Sequence, residues 1–322
     1  MRWLAVVLGL LLFATSASAQ GADFATWLQG MRQDALAQGI SGATFDQAFA
    51  GVQPIPRVIE LDQKQPETTL TFQEYIDRVV TQTRRDAAHQ HYLDNQALLE
   101  EVARRYQVPA RYIVALWGIE TNFGERIGTY PIIAALATLA YDGRRAAFFR
   151  KELINALKIV QNDHIDPSTM IGSWAGAMGQ SQFMPSSYLR FAVSYSGNGA
   201  PDIWNKPDDV FASIANYLAS SGWHPGLGLG WKVIVPPGID SSLVGLPPKR
   251  TLAEWSSLGI KRADGLPLVN NPSESTERAA LLQPGGSEGP SFLVTDNFSV
   301  ILRWNNSSYF ALAVGYLAES VK

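Results

Sequence analysis

The chain has 322 residues, 46% of them hydrophobic and 17% charged, with a formal net charge of −3 at pH 7 and no cysteine. That length admits two domains or one domain with insertions, and the apolar share supports an ordinary globular core. The mild acidity argues against nucleic acid as a partner, and the lack of cysteine excludes disulfides and a lipid-bearing thiol.

Residues 1–19 read as a secretory signal: Met1-Arg2 is the charged start, Trp3 to Phe13 the apolar run and Ala17-Ser18-Ala19 the small-residue cleavage site. The run is too short to span a bilayer as a helix. The expected product is a bacterial periplasmic protein, soluble after cleavage before Gln20 and held together by its core alone.

Helical spacing follows. Phe24, Trp27, Leu28 and Met31 form one apolar face, with Asp23 as expected cap and Gly39 as stop. Phe45, Ala48, Phe49 and Val52 form a second, with Thr44 and Gln47 spaced as a capping box, and Pro54 and Pro56 break the pattern. Phe72, Tyr75, Ile76 and Val79 predict a third helix, and Leu98, Leu99, Val102 and Tyr106 a fourth.

Between Pro109, suited to a first helical position, and Gly124, suited to a C-terminal stop, Ile113, Leu116, Trp117 and Glu120 fall at i, i+3, i+4 and i+7. The apolar stripe therefore ends in a carboxylate near the last turn. There the negative end of the helix dipole and partial desolvation both favour the neutral form, which suits a general acid working near neutral pH. A partly exposed glutamate at a helix end gives the same spacing, and periodicity does not separate the two readings.

Ile132 to Leu139 and Phe148 to Val160 continue the helical pattern. The stretch from Gly172 to Tyr188 is crowded with small residues, amides and hydroxyls, which suits an uncharged sugar better than phosphate, and it lacks the spacing of a P-loop. Phe211, Ile214, Ala215 and Leu218 mark a further core helix. Beyond Trp223 the strand candidates are Trp231 to Val235, Ala279 to Leu282, Phe292 to Thr295 and Ser299 to Trp304. Thr251 and Glu254 start a short helix, and Tyr309 to Glu319 forms the last. The fold class is α+β, mainly α. The segments are 20–100, an N-terminal helical region; 101–222, a helical core; 223–304, a smaller β-containing region; and 305–322, a C-terminal helix packing back on the helical region. The histidines at 89, 91, 164 and 224 show no metal-ligand spacing.

Taken together, Trp117-Gly-Ile-Glu-Thr-Asn-Phe-Gly124, Arg144-Arg145, Gly176-Ala-Met-Gly179, Gln182-Phe-Met-Pro-Ser-Ser-Tyr188 and Ile214-Ala-Asn-Tyr217 resemble the B-type lytic murein transglycosylases. The resemblance covers nearly all of the chain after residue 19. It implies a lysozyme-like helical core at 101–222 and cleavage of the bond between MurNAc and GlcNAc in peptidoglycan. By resemblance Glu120 is the catalytic residue. It would protonate the glycosidic oxygen, then take the proton of the muramic acid C6 hydroxyl as that hydroxyl attacks its own C1, giving a 1,6-anhydromuramyl end. Ser173, Gln182 and Tyr217 would line the groove around the reacting sugar, with Tyr75 and Asn305 as further contacts. At the C-terminal motif this chain has Trp304 and Phe310 where relatives carry tyrosines, so two hydroxyls are missing, and Phe310 reads as core packing.

The partners implied are peptidoglycan glycan strands, with cell-wall synthesis or division proteins as candidates; oligomeric state is left open. A lysozyme-like hydrolase, which needs a second carboxylate to hold a water, and a non-catalytic peptidoglycan-binding scaffold are the alternatives. No cofactor is expected. The segment from Ser194 has the outline of a calcium loop, with Ser194, Ser196 and Asn198 at its first, third and fifth positions and Asp208 near its end, but it carries too little carboxylate charge for a hard cation.

Overall fold

The computed structural model describes residues 12–64, 70–246, 249–270, 272 and 274–321, with side chains described from residue 23 onward. Residues 1–11, which hold the charged start and most of the apolar run of the expected signal, lie outside the described residues.

In chain order the helices are α1 (Leu12–Ala37), α2 (Gly42–Ala48), α3 (Pro56–Gln63), α4 (Phe72–Val79), α5 (Gln82–Asp94), α6 (Gln96–Tyr106), α7 (Ala110–Thr121), α8 (Ile132–Asp142), α9 (Ala146–Asp163), α10 (Pro185–Phe191), α11 (Pro207–Ser220), α12 (Leu252–Ser257), α13 (Asp296–Trp304) and α14 (Ser308–Ala318). The strands are β1 (Tyr130–Pro131), β2 (Ile171–Gly172), β3 (Gly230–Ile234), β4 (Arg250–Thr251), β5 (Lys261–Arg262), β6 (Arg278–Leu282) and β7 (Ser291–Val294). Among the described residues helix far outweighs strand, which makes the fold α+β and mainly α, as expected.

Two compact units are assembled from segments far apart in sequence, whereas composition divides the chain into contiguous blocks. The first is Met1–Gln65, Ile127–Arg190 and Asn198–Ala200; the second is Pro66–Arg126, Phe191–Gly197 and Pro201–Lys322.

In the first unit α8 is buried at every residue from Ile132 to Ala140, which marks it as the central helix, and α9 packs along it. Helix α3 was hidden in the sequence by its prolines, yet Pro56 sits in its first turn, where a missing N–H costs nothing. It delivers Asp62, 1% exposed, to the paired Arg144 and Arg145; the Arg144 Nε donates to Oδ2 at 2.6 Å. The two guanidinium groups hold this carboxyl below its ordinary range, the Arg144 hydrogen bond contributing most. At the other end Glu152, also buried, accepts from the Ser186 amide at the start of α10, where an acceptor satisfies an orphan helix donor.

In the second unit α7 is the centre, with α5, α6, α11 and α14 packed around it. An antiparallel sheet of order β4-β6-β7-β3-β5 follows, with Trp231 opposite Leu293 and Ala280 opposite Val294. Trp255 of α12 fills its core and donates its indole N–H to the Ala279 carbonyl at 2.9 Å.

Several local expectations need correction. Asp23 lies inside α1, which also runs through Ala17-Ser18-Ala19, so it is no cap. Ser41, not Thr44, caps α2, accepting from the Thr44 amide. Helix α5 was missed because Ala88 is its one buried residue, so it has no apolar stripe to read. Ser299 to Trp304 is helical, not a strand. Its β-branched and apolar residues belong to α13, where Asn297, Val300 and Ile301 repeat at i, i+3 and i+4 and are all buried.

Asp62→Asn is predicted to destabilise the protein by roughly 2 kcal/mol at pH 7, since two charge-assisted hydrogen bonds are weakened. Because the folded pKa of Asp62 is depressed, the stabilisation is present above the unfolded value and is lost as pH falls through the folded one. Denaturant melts should show the gap between wild type and variant closing below about pH 4.

Candidate active site

Helix α7 begins after Pro109, which is the N-cap and not the first helical residue. Ile113, Leu116 and Trp117 are buried as their spacing requires, and Glu120, one turn further, is half-buried. The helix stops earlier than the expected glycine. Asn122 (φ 51°), Phe123 (φ 61°) and Gly124 (φ 87°) are all left-handed. The amides of Asn122 and Phe123 donate back to Gly118 at 3.1 Å and Trp117 at 3.3 Å, closing the orphan carbonyls.

A phenylalanine at positive φ is costly, of order 1–3 kcal/mol, so its surroundings must hold it there. Its ring stacks on His91 of α5 at 4.5 Å and meets Trp117 edge-on at 5.5 Å. It also lies over Gly118, where a Cβ would come within 2.6 Å of the ring. Gly118 is thus required by close approach, and the end of α7 that carries Glu120 is locked from the side.

Trp304, the last residue of α13, donates its indole N–H to Glu120 Oε1 at 2.6 Å. Tyr217 of α11 supports it: its ring meets Trp304 at 4.6 Å, and its hydroxyl donates to the Arg303 carbonyl at 2.7 Å. Burial pushes the Glu120 carboxyl up to about 7, and the Trp304 hydrogen bond opposes that shift by favouring the charged form. Tyr75 of α4 packs on Tyr309 at 5.7 Å between ring centres; burial and then the negative charge of Glu120 raise its hydroxyl, so it lies within electrostatic reach of the acid.

Of the residues expected from sequence, Glu120, Tyr217 and Tyr75 therefore cluster within the second unit. Asn305 follows Trp304 as the exposed C-cap of α13. Phe310 is buried at 5% exposure. Ser173 and Gln182 belong to the first unit. Ser173 exchanges backbone and side-chain hydrogen bonds with Ala177, and Gln182, at φ 50°, donates its amide to the carbonyls of Ile127 and Gly179. Sequence reasoning missed Trp304 and His91. At position 304 a lost hydroxyl was the visible signal, but an indole also donates.

At the candidate calcium loop the carboxylates are already engaged. Asp209 accepts from the amides of Tyr195 at 2.7 Å and Asp202 at 2.8 Å, Asp202 from Trp204 and Asn205, and Asp208 from Asp209. The hydroxyls of Ser194 and Ser196 lie 3.3 Å apart, and Asn198 is exposed. The first, third and fifth positions of this loop thus offer two hydroxyls and an amide, where a hard divalent cation favours carboxylate oxygens. Among the described residues no group of three or more acidic or histidine side chains is gathered for a metal.

A sequence profile of the transglycosylase SLT domain matches residues 23–319. The chain belongs to that family. This SLT-domain chain is 35% identical over 223 residues to membrane-bound lytic murein transglycosylase B of Escherichia coli strain K12, covering 67% of this chain and 58% of that relative. It thus spans less than two thirds of that relative's length. SltB3 from Pseudomonas aeruginosa, solved in complex with NAG-anhNAM-pentapeptide, has a TM-score of 0.89 at 46% identity, covering 92% of this chain and 79% of that one. The Escherichia coli lytic transglycosylase Slt35, solved in complex with calcium, has a TM-score of 0.77 at 28% identity, covering 91% of each chain. The likenesses establish the lysozyme-like fold of the SLT-domain chain.

The raised Glu120 carboxyl carries a sign that can be checked. The folded protein binds this proton more tightly than the unfolded chain, so stability falls as pH rises from the ordinary glutamate value to about 7. The total loss is on the order of 3 kcal/mol. Glu120→Gln, neutral throughout, is predicted to gain on the wild type over that window in thermal melts and to match it below about pH 4.

Proposed function

We propose that the protein is a lytic transglycosylase that cleaves the β-1,4 bond between MurNAc and GlcNAc in peptidoglycan strands, with Glu120 as its acid and base. The observation that carries this reading is a glutamic acid half-buried at the end of an apolar helix, with its carboxyl pushed up to about 7 and held by a neighbouring indole. At neutral pH such a group is poised to give up a proton and to take one back, which is what both halves of the reaction need. The family membership and the neighbour solved with an anhydro-muramyl peptide support the same reading.

In the first half the Glu120 proton passes to the glycosidic oxygen as the bond from muramyl C1 to that oxygen breaks. In the second half the C6 hydroxyl oxygen of the same sugar bonds to C1, and its proton passes to the Glu120 carboxylate. The acid is regenerated, and no water is consumed. Ser173, Gln182, Tyr217, Tyr75 and Asn305 are the proposed sugar-contacting residues. Gln182 would offer its carbonyl oxygen, since its nitrogen is held by Ile127 and Gly179. Tyr217 would act largely by shaping the wall that Trp304 forms.

The proposed setting is the periplasm, after removal of residues 1–19. No helix among the described residues is long and apolar enough to cross a membrane. Fractionation that recovers the protein only with detergent, its first nineteen residues intact, would count against this.

Glu120→Gln is predicted to lower the rate on purified sacculi at least about a hundred- to ten-thousand-fold while glycan binding survives, because shape is kept and the proton cycle is lost. Glu125→Gln, at an exposed side chain, should cost little. Mass analysis of wild-type products should give muropeptides lighter by one water than hydrolysed ones. Reducing-end muramic acid as the main product would instead favour the hydrolase. Binding without cleavage would favour the scaffold.

Calcium should bind weakly or not at all, because the loop's carboxylates are spent on backbone amides. A calorimetric titration giving micromolar affinity would contradict this.

A further inference from the structure

Trp304 offers Glu120 an indole, and that decides the chemistry available to the acid. A phenol both donates and accepts, whereas an indole N–H only donates. Oε1 of Glu120 faces that N–H at 2.6 Å. A carbonyl oxygen accepts better than an acid hydroxyl, so in the neutral acid the contact favours Oε1 as the carbonyl oxygen.

We propose that Trp304 is a positioning residue that confines the acidic proton to Oε2 of Glu120. The inference rests on the reading of Glu120 as the catalytic acid. The bond also serves the charged state, since the same N–H then faces a carboxylate oxygen and strengthens. Oε1 keeps one partner through both halves of the cycle, and Oε2 alone gives up and regains the proton, with no turn of the carboxyl between steps. The indole itself is held, because it ends α13, takes the edge of Tyr217 at 4.6 Å and follows Arg303, whose carbonyl accepts the Tyr217 hydroxyl.

The titratable groups on the elements packed around this end of α7 are Tyr75 on α4, Arg84 and His91 on α5, Tyr217 on α11 and Tyr309 on α14, with Glu125 in the following loop. Tyr75 responds to the charge of Glu120, but burial keeps its hydroxyl above the ordinary tyrosine value and so protonated through the neutral range. His91 stacks on Phe123 in the turn beside the acid, so its substitution is the control for that neighbour.

The test is kcat/KM against pH from 4 to 9 on a soluble glycan for wild type, Trp304→Phe, Trp304→Tyr, His91→Gln and Glu120→Gln. Trp304→Phe keeps an aromatic ring, though a smaller one, and removes the donor. Its basic limb should move up by about one pH unit, because the carboxylate loses a charge-assisted hydrogen bond. Its kcat should fall roughly tenfold, less than the hundred- to ten-thousand-fold that the proton transfer itself contributes, with KM nearly unchanged. Trp304→Tyr restores a donor and should return the limb to within a few tenths of a unit. His91→Gln should leave the limb in place.

A second measurement does not depend on turnover or on either Trp304 variant folding. The infrared difference between wild type and Glu120→Gln at pH 5 should show one hydrogen-bonded carbonyl band for protonated Glu120. Two bands, a Trp304→Phe limb that does not move, or a limb that shifts in His91→Gln would overturn the proposal. A Glu120→Gln variant that remains active would instead sink the reading of Glu120 itself.

Discussion

Everything around the active end of this molecule follows from the free-energy cost of taking a carboxylate out of water. At the C-terminus of an apolar helix the charged form loses hydration and meets the negative end of the backbone dipole. The indole of Trp304 gives back part of what burial takes, and the balance leaves Glu120 near neutrality. A more exposed glutamate would stay ionised at pH 7. One buried without a donor would hold its proton too tightly to give it up readily. The site depends on both effects being present in unequal measure.

Holding that balance requires a rigid helix end. The chain turns through three left-handed residues there, one of them a phenylalanine, and a stack of His91, Phe123 and Trp117 keeps the turn in place over a glycine. Helix α14 closes the same region: Leu317 lies 3.2 Å from where a Cβ on Gly118 would stand. The strain is local, and it sits within four residues of the acid, where a small displacement would change both its hydration and its donor.

How far the sequence foretold this depended on what each residue had to signal with. Helices α7, α8, α9, α11 and α14 bury long apolar stripes, and spacing alone places them. Helix α5 buries only Ala88, so its contribution, the stacking of His91 on Phe123, left no periodic trace. Helix α13 mixes β-branched residues with a buried asparagine, whose side chain bonds the backbone of His224 and Leu227, and so read as a strand. Glu120 was legible because a carboxylate on an apolar face is an anomaly. Its partner was not, because Trp304 looks like any half-buried aromatic until a long-range contact is known. Ser173 and Gln182 were singled out by likeness. Their observed hydrogen bonds are to backbone, in their own loop and, for Gln182, also at Ile127, which spacing does not reveal.

The hydrogen bond to the acid spans 184 positions of sequence. Closing so large a loop is slow compared with forming α7 itself, so during folding the helix precedes its donor. Until α13 docks, Oε1 of Glu120 is without the indole that favours its charged form. The same holds for a chain cut short after the sheet. The tuning of the acid therefore waits on a long-range closure, and a partly formed molecule carries the glutamate without its donor.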